Sequence, residues 1–417
     1  MDIIALRRDL HQYPEVGFTE FRTASKVVEI LDSLGYQVIY GEDALDKAAR
    51  RGLPDDDELT EAYERALEHG ANREIVERMK GGLTAVIGVL EGKEPGPTIA
   101  FRFDMDALPV QESKDADHLP SKEGFISKFE GNMHACAHDA HTAIGIGLAE
   151  KLADRQFSGT VKLIFQPAEE GARGAHAVAE KGHVDDVQSI YCLHLGFGYP
   201  LGAIYAGSTD WLATTKMLTH FHGIPSHTGM SPETGRNALL GAATALINIH
   251  SLPRYSGGST RVGVGILEGG TASNITPYFA KMVSETRADS EEINEDLEKR
   301  VRTILSNSAE MHELKEETFI IGKGTTITCD EELIDLVLEE AKEIKEFDSL
   351  NRYGQANGGE DASLLIKRVQ KCGGKGTYMI VGTPIPAAHH HQKFDIDEAV
   401  MEPTVKLLEK VARKELR

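Results

Sequence analysis

The residues best suited to chemistry lie in four short segments. The richest is Met133-His134-Ala135-Cys136-Ala137-His138-Asp139-Ala140-His141. Thiolate and imidazole are the usual ligands of zinc-like ions. Cys136 and His138 lie two residues apart, so both aim at one centre only where the backbone is not helical. A loop just ahead of a helix supplies such a backbone. The competing reading is a His-rich surface turn, since the chain carries 17 histidines. The second segment is Gln166-Pro167-Ala168-Glu169-Glu170-Gly171. Adjacent carboxylates at a sheet edge are costly unless something uses them. One can ligate a metal while the other, pointing elsewhere, serves as general base. Against this stands a helix N-terminus made acidic for its dipole. The third is His194, which ends an apolar run; a lone histidine there is more often a satisfied core residue. The fourth is His389-His390-His391, ahead of Phe394-Asp395-Ile396-Asp397-Glu398. A histidine tract alone is weak, but together these groups fall at the carboxyl ends of predicted strands, which random placement on loops would not produce.

Those strands are 98–103, 161–165, 190–193 and 377–381, with helical patterns between them around 141–152 and 175–181. Apolar strands alternating with helices predict a mostly parallel α/β sheet. In such sheets ligands bind beyond the carboxyl ends of the strands. Residues 3–35 read as one amphipathic helix or two, ending near Gly35, with a short strand at 36–40. The charged stretch 55–80 reads as a solvated helical insertion; a part in subunit contact or in capping the cleft is the other reading. Residues 212–322 differ. Strand 215–222, helix 236–250, strands 261–267 and 278–286, helix 291–310 and strand 317–321 follow the βαββαβ order of a ferredoxin-like motif. The expected organisation is therefore a catalytic domain of 1–211 and 323–417 with a small domain, 212–322, inserted in it.

Composition narrows the function classes. The chain has 417 residues, 41% apolar and 27% charged, a globular balance. Its formal charge of -21 disfavours nucleic acid, whose phosphates need clustered Lys and Arg. No apolar run of about 18 residues is present, so no membrane span is expected, and no signal-like stretch opens the chain. Cys136, Cys192, Cys329 and Cys372 are scattered without framework spacing, which fits a reduced, cytoplasmic setting.

The ordered motifs as a whole resemble the M20 peptidase family, in the branch of amidohydrolases that includes indole-acetyl-amino-acid and hippurate hydrolases. The likeness runs from Arg7-Arg8-Asp9-Leu10-His11-Gln12-Tyr13-Pro14-Glu15 through Asp104-Met105-Asp106-Ala107-Leu108-Pro109, 133–142, 166–171 and Gly359-Glu360-Asp361 to 389–398. It covers nearly the whole chain. The resemblance implies an inserted lid and dimerisation domain, and two divalent metal ions, manganese or zinc, held by Cys136, His138, Glu170, His194 and His390. Phe394, four residues on, favours His390 over His391. Cys136 would bridge the two metals, Glu169 would be the general base, and Asp106 would support the metals from behind. The one departure is Ala137, where the family usually has glycine; its methyl group narrows the backbone choices. In the small domain the resemblance implies that His227 reaches the partner subunit's active site. Asn274 and Arg287 would hold a substrate carboxylate, which an Arg fork suits. The implied reaction is hydrolysis of the amide in a small N-acyl amino acid, with p-aminobenzoyl-glutamate as the expected substrate. The implied assembly is a homodimer; the other possible partner is a related B-type subunit. A dipeptidase or carboxypeptidase, and a metal-binding subunit without catalysis, are the rival readings.

Overall fold

The structure is a computed structural model that describes residues 1–417. Its twelve strands are β1 Gln37–Tyr40, β2 Val86–Glu91, β3 Glu94–Asp104, β4 Ser158–Gln166, β5 Ser189–Leu195, β6 Ala203–Thr209, β7 Ala213–His222, β8 Thr260–Gly269, β9 Phe279–Ala288, β10 Lys315–Gly324, β11 Ser349–Gln355 and β12 Lys375–Val381. The chain divides into two compact units. One comprises Met1–Thr209, Ile327–Asn357 and Asp361–Arg417; the other comprises Asp210–Thr326 and Gly358–Glu360.

The larger unit is built on an eight-stranded sheet in the order β1-β2-β4-β3-β5-β12-β6-β11. At its centre β4, β3, β5 and β12 run parallel. The β1–β2, β2–β4 and β12–β6 pairings are antiparallel, and β11 is parallel to β6. The sheet is therefore mixed, with the parallel core expected from sequence. Strands β2, β6 and β11 were not anticipated. Parallel β4, β3, β5 and β12 place all four carboxyl ends on one edge, which brings segments distant in sequence to one place.

Two helices, Ile3–Gln12 and Phe21–Ser33, occupy the first amphipathic stretch. Helix His138–Leu152 packs against β3 and against helices Ile3–Gln12 and Met401–Glu415. It is buried almost all round. Gly145 allows this approach: a Cβ there would meet the Phe103 ring at 2.6 Å. The charged insertion is less solvated than its composition suggests. Helix Asp56–Glu68 is capped by Asp55, whose carboxylate accepts from the Glu58 amide. It buries Leu59, Ala62, Tyr63 and Ala66 and packs on Phe21–Ser33. One face is charged and the other is core.

The smaller unit is a four-stranded antiparallel sheet, β10-β7-β9-β8. Helices Ala238–His250 and Glu291–Met311 pack on it. Met217, Phe221, Ala242, Ile249, Met282, Val301 and Leu305 form its core. The element order is βαββαβ. No helix of the chain is long and apolar enough to cross a membrane.

Candidate metal centre

The centre lies at the carboxyl ends of β3, β4, β5 and β12, and each segment reaches it by a local backbone device. Helix His138–Leu152 begins at His138, and Ala137 ahead of it sits at φ 68°, ψ 12°. That left-handed residue turns the chain between Cys136 and His138 so that both side chains face one point. Glycine would adopt it freely, whereas alanine pays for its Cβ. After β4, Ala168 also lies at positive φ, 51°. Two carboxylates hold the loop that follows it. Glu20 accepts from the Ala168 amide at 2.8 Å. Asp106 accepts from the Glu169 and Glu170 amides at 3.0 and 2.9 Å, one on each oxygen. Three successive N–H groups are thus fixed, and the Glu169 and Glu170 side chains are aimed. After β12 the chain returns through His390, at φ 67°, whose amide donates to the Ala135 carbonyl at 2.8 Å.

Cys136 Sγ, a His138 ring nitrogen and a Glu170 carboxylate oxygen all lie within 4.8 Å of one another. His194 Nε2 is 3.4 Å from Cys136 Sγ, and His390 Nε2 is 3.3 Å from Glu170 Oε1. Glu169 Oε2 stands 3.9 Å from His138 Nε2. The five residues that the family resemblance names as ligands therefore converge, with Glu169 and Asp106 beside them. His391 is turned away: its Nδ1 accepts from the Lys393 amide.

Hydrogen bonds fix the ring tautomers. His138 Nδ1 donates to the Asp106 carbonyl at 2.9 Å, and His194 Nδ1 donates to the Leu195 carbonyl at 2.8 Å. A carbonyl accepts only, so both rings carry a proton on Nδ1, and in the neutral form each turns its Nε2 lone pair to the centre. Glu170 Oε1 is buried with the His390 ring beside it at 3.3 Å, and His138 Nε2, equally buried, is without a hydrogen-bond partner. Buried polar atoms are rarely left so. A soft sulfur, two imidazole nitrogens and a buried carboxylate oxygen fit a divalent cation. Burial and the nearby Glu170 push the Cys136 thiol up, against the pull of His138 and His390. Hydrogen bonding to Cys136 and then Glu170 pushes His390 up to about 10.

Three features escaped the sequence reading. Glu20 supports the carboxylate loop, but nothing in its sequence neighbourhood marks it. His141 donates from Nδ1 to Asp104 at 2.6 Å and accepts from the Leu195 amide at 3.1 Å. Both nitrogens are engaged, so His141 braces β3 against β5. His389 faces Cys136 Sγ at 3.5 Å; the histidine triplet was the signal, but it did not say which rings turn inward.

In the smaller unit, His227 forms a bridge with Ile275, and the Thr228 amide donates to the Asn274 carbonyl at 3.2 Å. The His227 and Asn274 segments are thus neighbours. Arg287, on β9, donates from Nε and Nη2 to Glu285.

Residues 100–414 match peptidase family M20/M25/M40. Indole-3-acetyl-aspartic acid hydrolase of Enterobacter agglomerans is 44% identical over 406 residues, covering 96% of this chain and 93% of that protein. The A-type subunit of p-aminobenzoyl-glutamate hydrolase from Escherichia coli (strain K12) is 40% identical, covering 97% and 94%. Among solved structures, the aminobenzoyl-glutamate utilization protein from Klebsiella pneumoniae superposes with a TM-score of 0.86 at 39% identity, covering 99% of this chain and 95% of that one. Matched along nearly its full length at such identities, the chain belongs to the M20/M25/M40 peptidase family.

Proposed function

We propose that the protein is a di-metal amidohydrolase that splits an aromatic acyl group from an acidic amino acid, with p-aminobenzoyl-glutamate as its first substrate. One observation carries the reading. The unsatisfied His138 Nε2 converges with the Glu170 carboxylate and Cys136 beside a second carboxylate, Glu169. Cys136, His138, Glu170, His194 and His390 would hold the cations, manganese or zinc. Bound cations supply Lewis acidity at the amide carbonyl and acidify water. Glu169, its backbone hung on Asp106, takes the proton of the attacking water and returns it to the departing amine. One water is consumed, and a carboxylic acid and an amine leave. In the assembly we propose, a homodimer, His227 stabilises the oxyanion across the subunit boundary. Asn274 and Arg287 hold the amino-acid carboxylate, which competes with Glu285 for the Arg287 fork.

The names of the two relatives share a feature: each acts on an aromatic acyl group joined to a dicarboxylic amino acid. Indole-3-acetyl-aspartate is therefore the second reading, supported by the 44% identical relative. The 40% identical relative is named as one subunit of its hydrolase, which makes a B-type chain the alternative partner. The test is release of glutamate or aspartate by the purified protein after chelation and return of manganese or zinc. Metal-dependent release from either substrate is expected. Cleavage of dipeptides in preference to both would replace the substrate class, and no hydrolysis of any amide by the reloaded protein would overturn the enzymatic reading.

A further inference from the structure

His389 touches Cys136, yet its bonding differs from that of His138 and His194. His138 and His194 each set a backbone carbonyl against the nitrogen remote from the centre, which leaves a lone pair on the near nitrogen. His389 does the reverse. Its remote nitrogen, Nε2, accepts from the Phe197 amide at 3.2 Å. A backbone N–H only donates, so Nε2 is unprotonated and the ring proton sits on Nδ1. Nδ1 is the atom that lies 3.5 Å from Cys136 Sγ. The near nitrogen therefore presents an N–H and has no lone pair to offer a cation.

The surroundings hold the ring in that pose. His389 lies between Phe394 and Phe197, with centroids at 4.8 and 5.3 Å. Phe197 sits in a turn of three consecutive positive-φ residues, Gly196 at 101°, Phe197 at 54° and Gly198 at 75°. This turn aims the Phe197 amide at the ring. Gly196 leaves the necessary space: a Cβ there would come within 2.9 Å of His389 Nε2.

We infer that His389 is a positioning residue that donates a hydrogen bond from Nδ1 to the Cys136 thiolate, oriented by the Phe197 amide, and that it is not a ligand. The inference rests on Cys136 being a metal ligand. An N–H aimed at a ligand sulfur withdraws charge from it and fixes its direction; supporting groups of this kind typically change metal affinity about 10–100-fold.

The test uses the cobalt-loaded protein and the variants His389→Leu, His389→Asn and His389→Gln. Cobalt per chain, cobalt affinity and the thiolate-to-cobalt charge-transfer band are read for each. All four proteins are expected to bind the same number of ions. His389→Leu should move the band to longer wavelength and weaken affinity about 10–100-fold, because the sulfur loses its donor. His389→Asn, whose amide nitrogen can stand where Nδ1 stood, should keep the wild-type band. His389→Gln keeps an acceptor for the Phe197 amide but puts no donor at Nδ1. It should shift as the leucine variant does, and it carries the test if leucine disturbs folding. Loss of one ion per chain in the variants would overturn the inference by making His389 a ligand. An unshifted band in both His389→Leu and His389→Gln would overturn it by removing the hydrogen bond. Absence of the band from the wild-type protein would instead remove Cys136 as a ligand, and this inference with it.

Discussion

At Cys136 and His390 protons compete with a cation. Burial pushes the thiol up, and pairing with Cys136 and Glu170 pushes His390 up to about 10. Both groups hold their protons at neutral pH, and both must lose them before donating to a metal. Metal binding is therefore expected to release protons, and apparent affinity to rise about tenfold per pH unit for each proton lost. Titration calorimetry in buffers of different ionisation enthalpy measures this count; buffer-independent heats would contradict it. A third titrating residue lies in the buried network of His11, which bonds Asp139 at 2.8 Å and Glu112 at 2.9 Å. Burial opposes the charge on His11, but these two carboxylates outweigh it and raise its pKa to about 9. The folded pKa lies above the ordinary value, so the stabilisation is complete below about pH 6.5 and fades as pH rises toward 9. It amounts to on the order of 3 kcal/mol. The stability gap between wild type and His11→Gln in urea should narrow over that window. A constant gap would assign the bond's value to packing instead.

Among the elements, the entry to helix His138–Leu152 sets the aim of Cys136 and His138. Ala137 holds a left-handed conformation that costs an alanine about 1 kcal/mol. Ala137→Gly is therefore expected to keep metal content and leave stability equal or higher by up to about 1 kcal/mol, glycine's greater unfolded entropy offsetting part of the gain. A loss of metal in that variant would mean that the methyl group, buried in the structure, takes part in packing the centre. The strands show what periodicity could and could not reveal. β3, β4, β5 and β12 are largely apolar runs, interrupted by Arg102 in β3 and Lys162 in β4, because both faces are covered, and they were legible for that reason. β11 is a sheet edge whose Arg352 and Tyr353 are exposed, and β6 reads Ala-Ile-Tyr-Ala-Gly-Ser-Thr; neither carries a burial pattern strong enough to stand out from loop.

For the whole molecule, the proposed scheme splits one active site between two chains. Glu169→Ala chains keep a functional His227, and His227→Ala chains keep a functional Glu169. Each variant alone is expected to lose about 100-fold or more in turnover. Mixing them under conditions of subunit exchange should restore up to about a quarter of wild-type sites, the statistical share of one intact site per mixed dimer when half the dimers are mixed. Metal content should be unchanged in both. Activity that stays at the level of the separate variants after verified exchange would place His227 outside the shared site. The insertion bears on the same scale. Because Leu59, Ala62, Tyr63 and Ala66 pack into the larger unit, removing 55–80 should expose the apolar face of Phe21–Ser33 and lower stability, which a thermal melt would show.

Residue type and order alone determined the chemistry on offer: a thiol, imidazoles and paired carboxylates after apolar strands, in an acidic chain with a βαββαβ segment. These are local properties, fixed by side-chain donors and by the period of burial. The family spacing to Phe394 favoured His390 over His391, but which atom each ring of the triplet meets could not be read, because all three are identical in type and adjacent in sequence. Only the tertiary structure decided that His390 meets Glu170, that His389 meets Cys136, and that His391 turns away. Glu20 shows the same limit: its bond to Ala168 spans 148 positions. Such pairings depend on how the sheet brings distant backbone amides and carbonyls together, and those groups are the same at every residue except proline, so the sequence carries no mark of them.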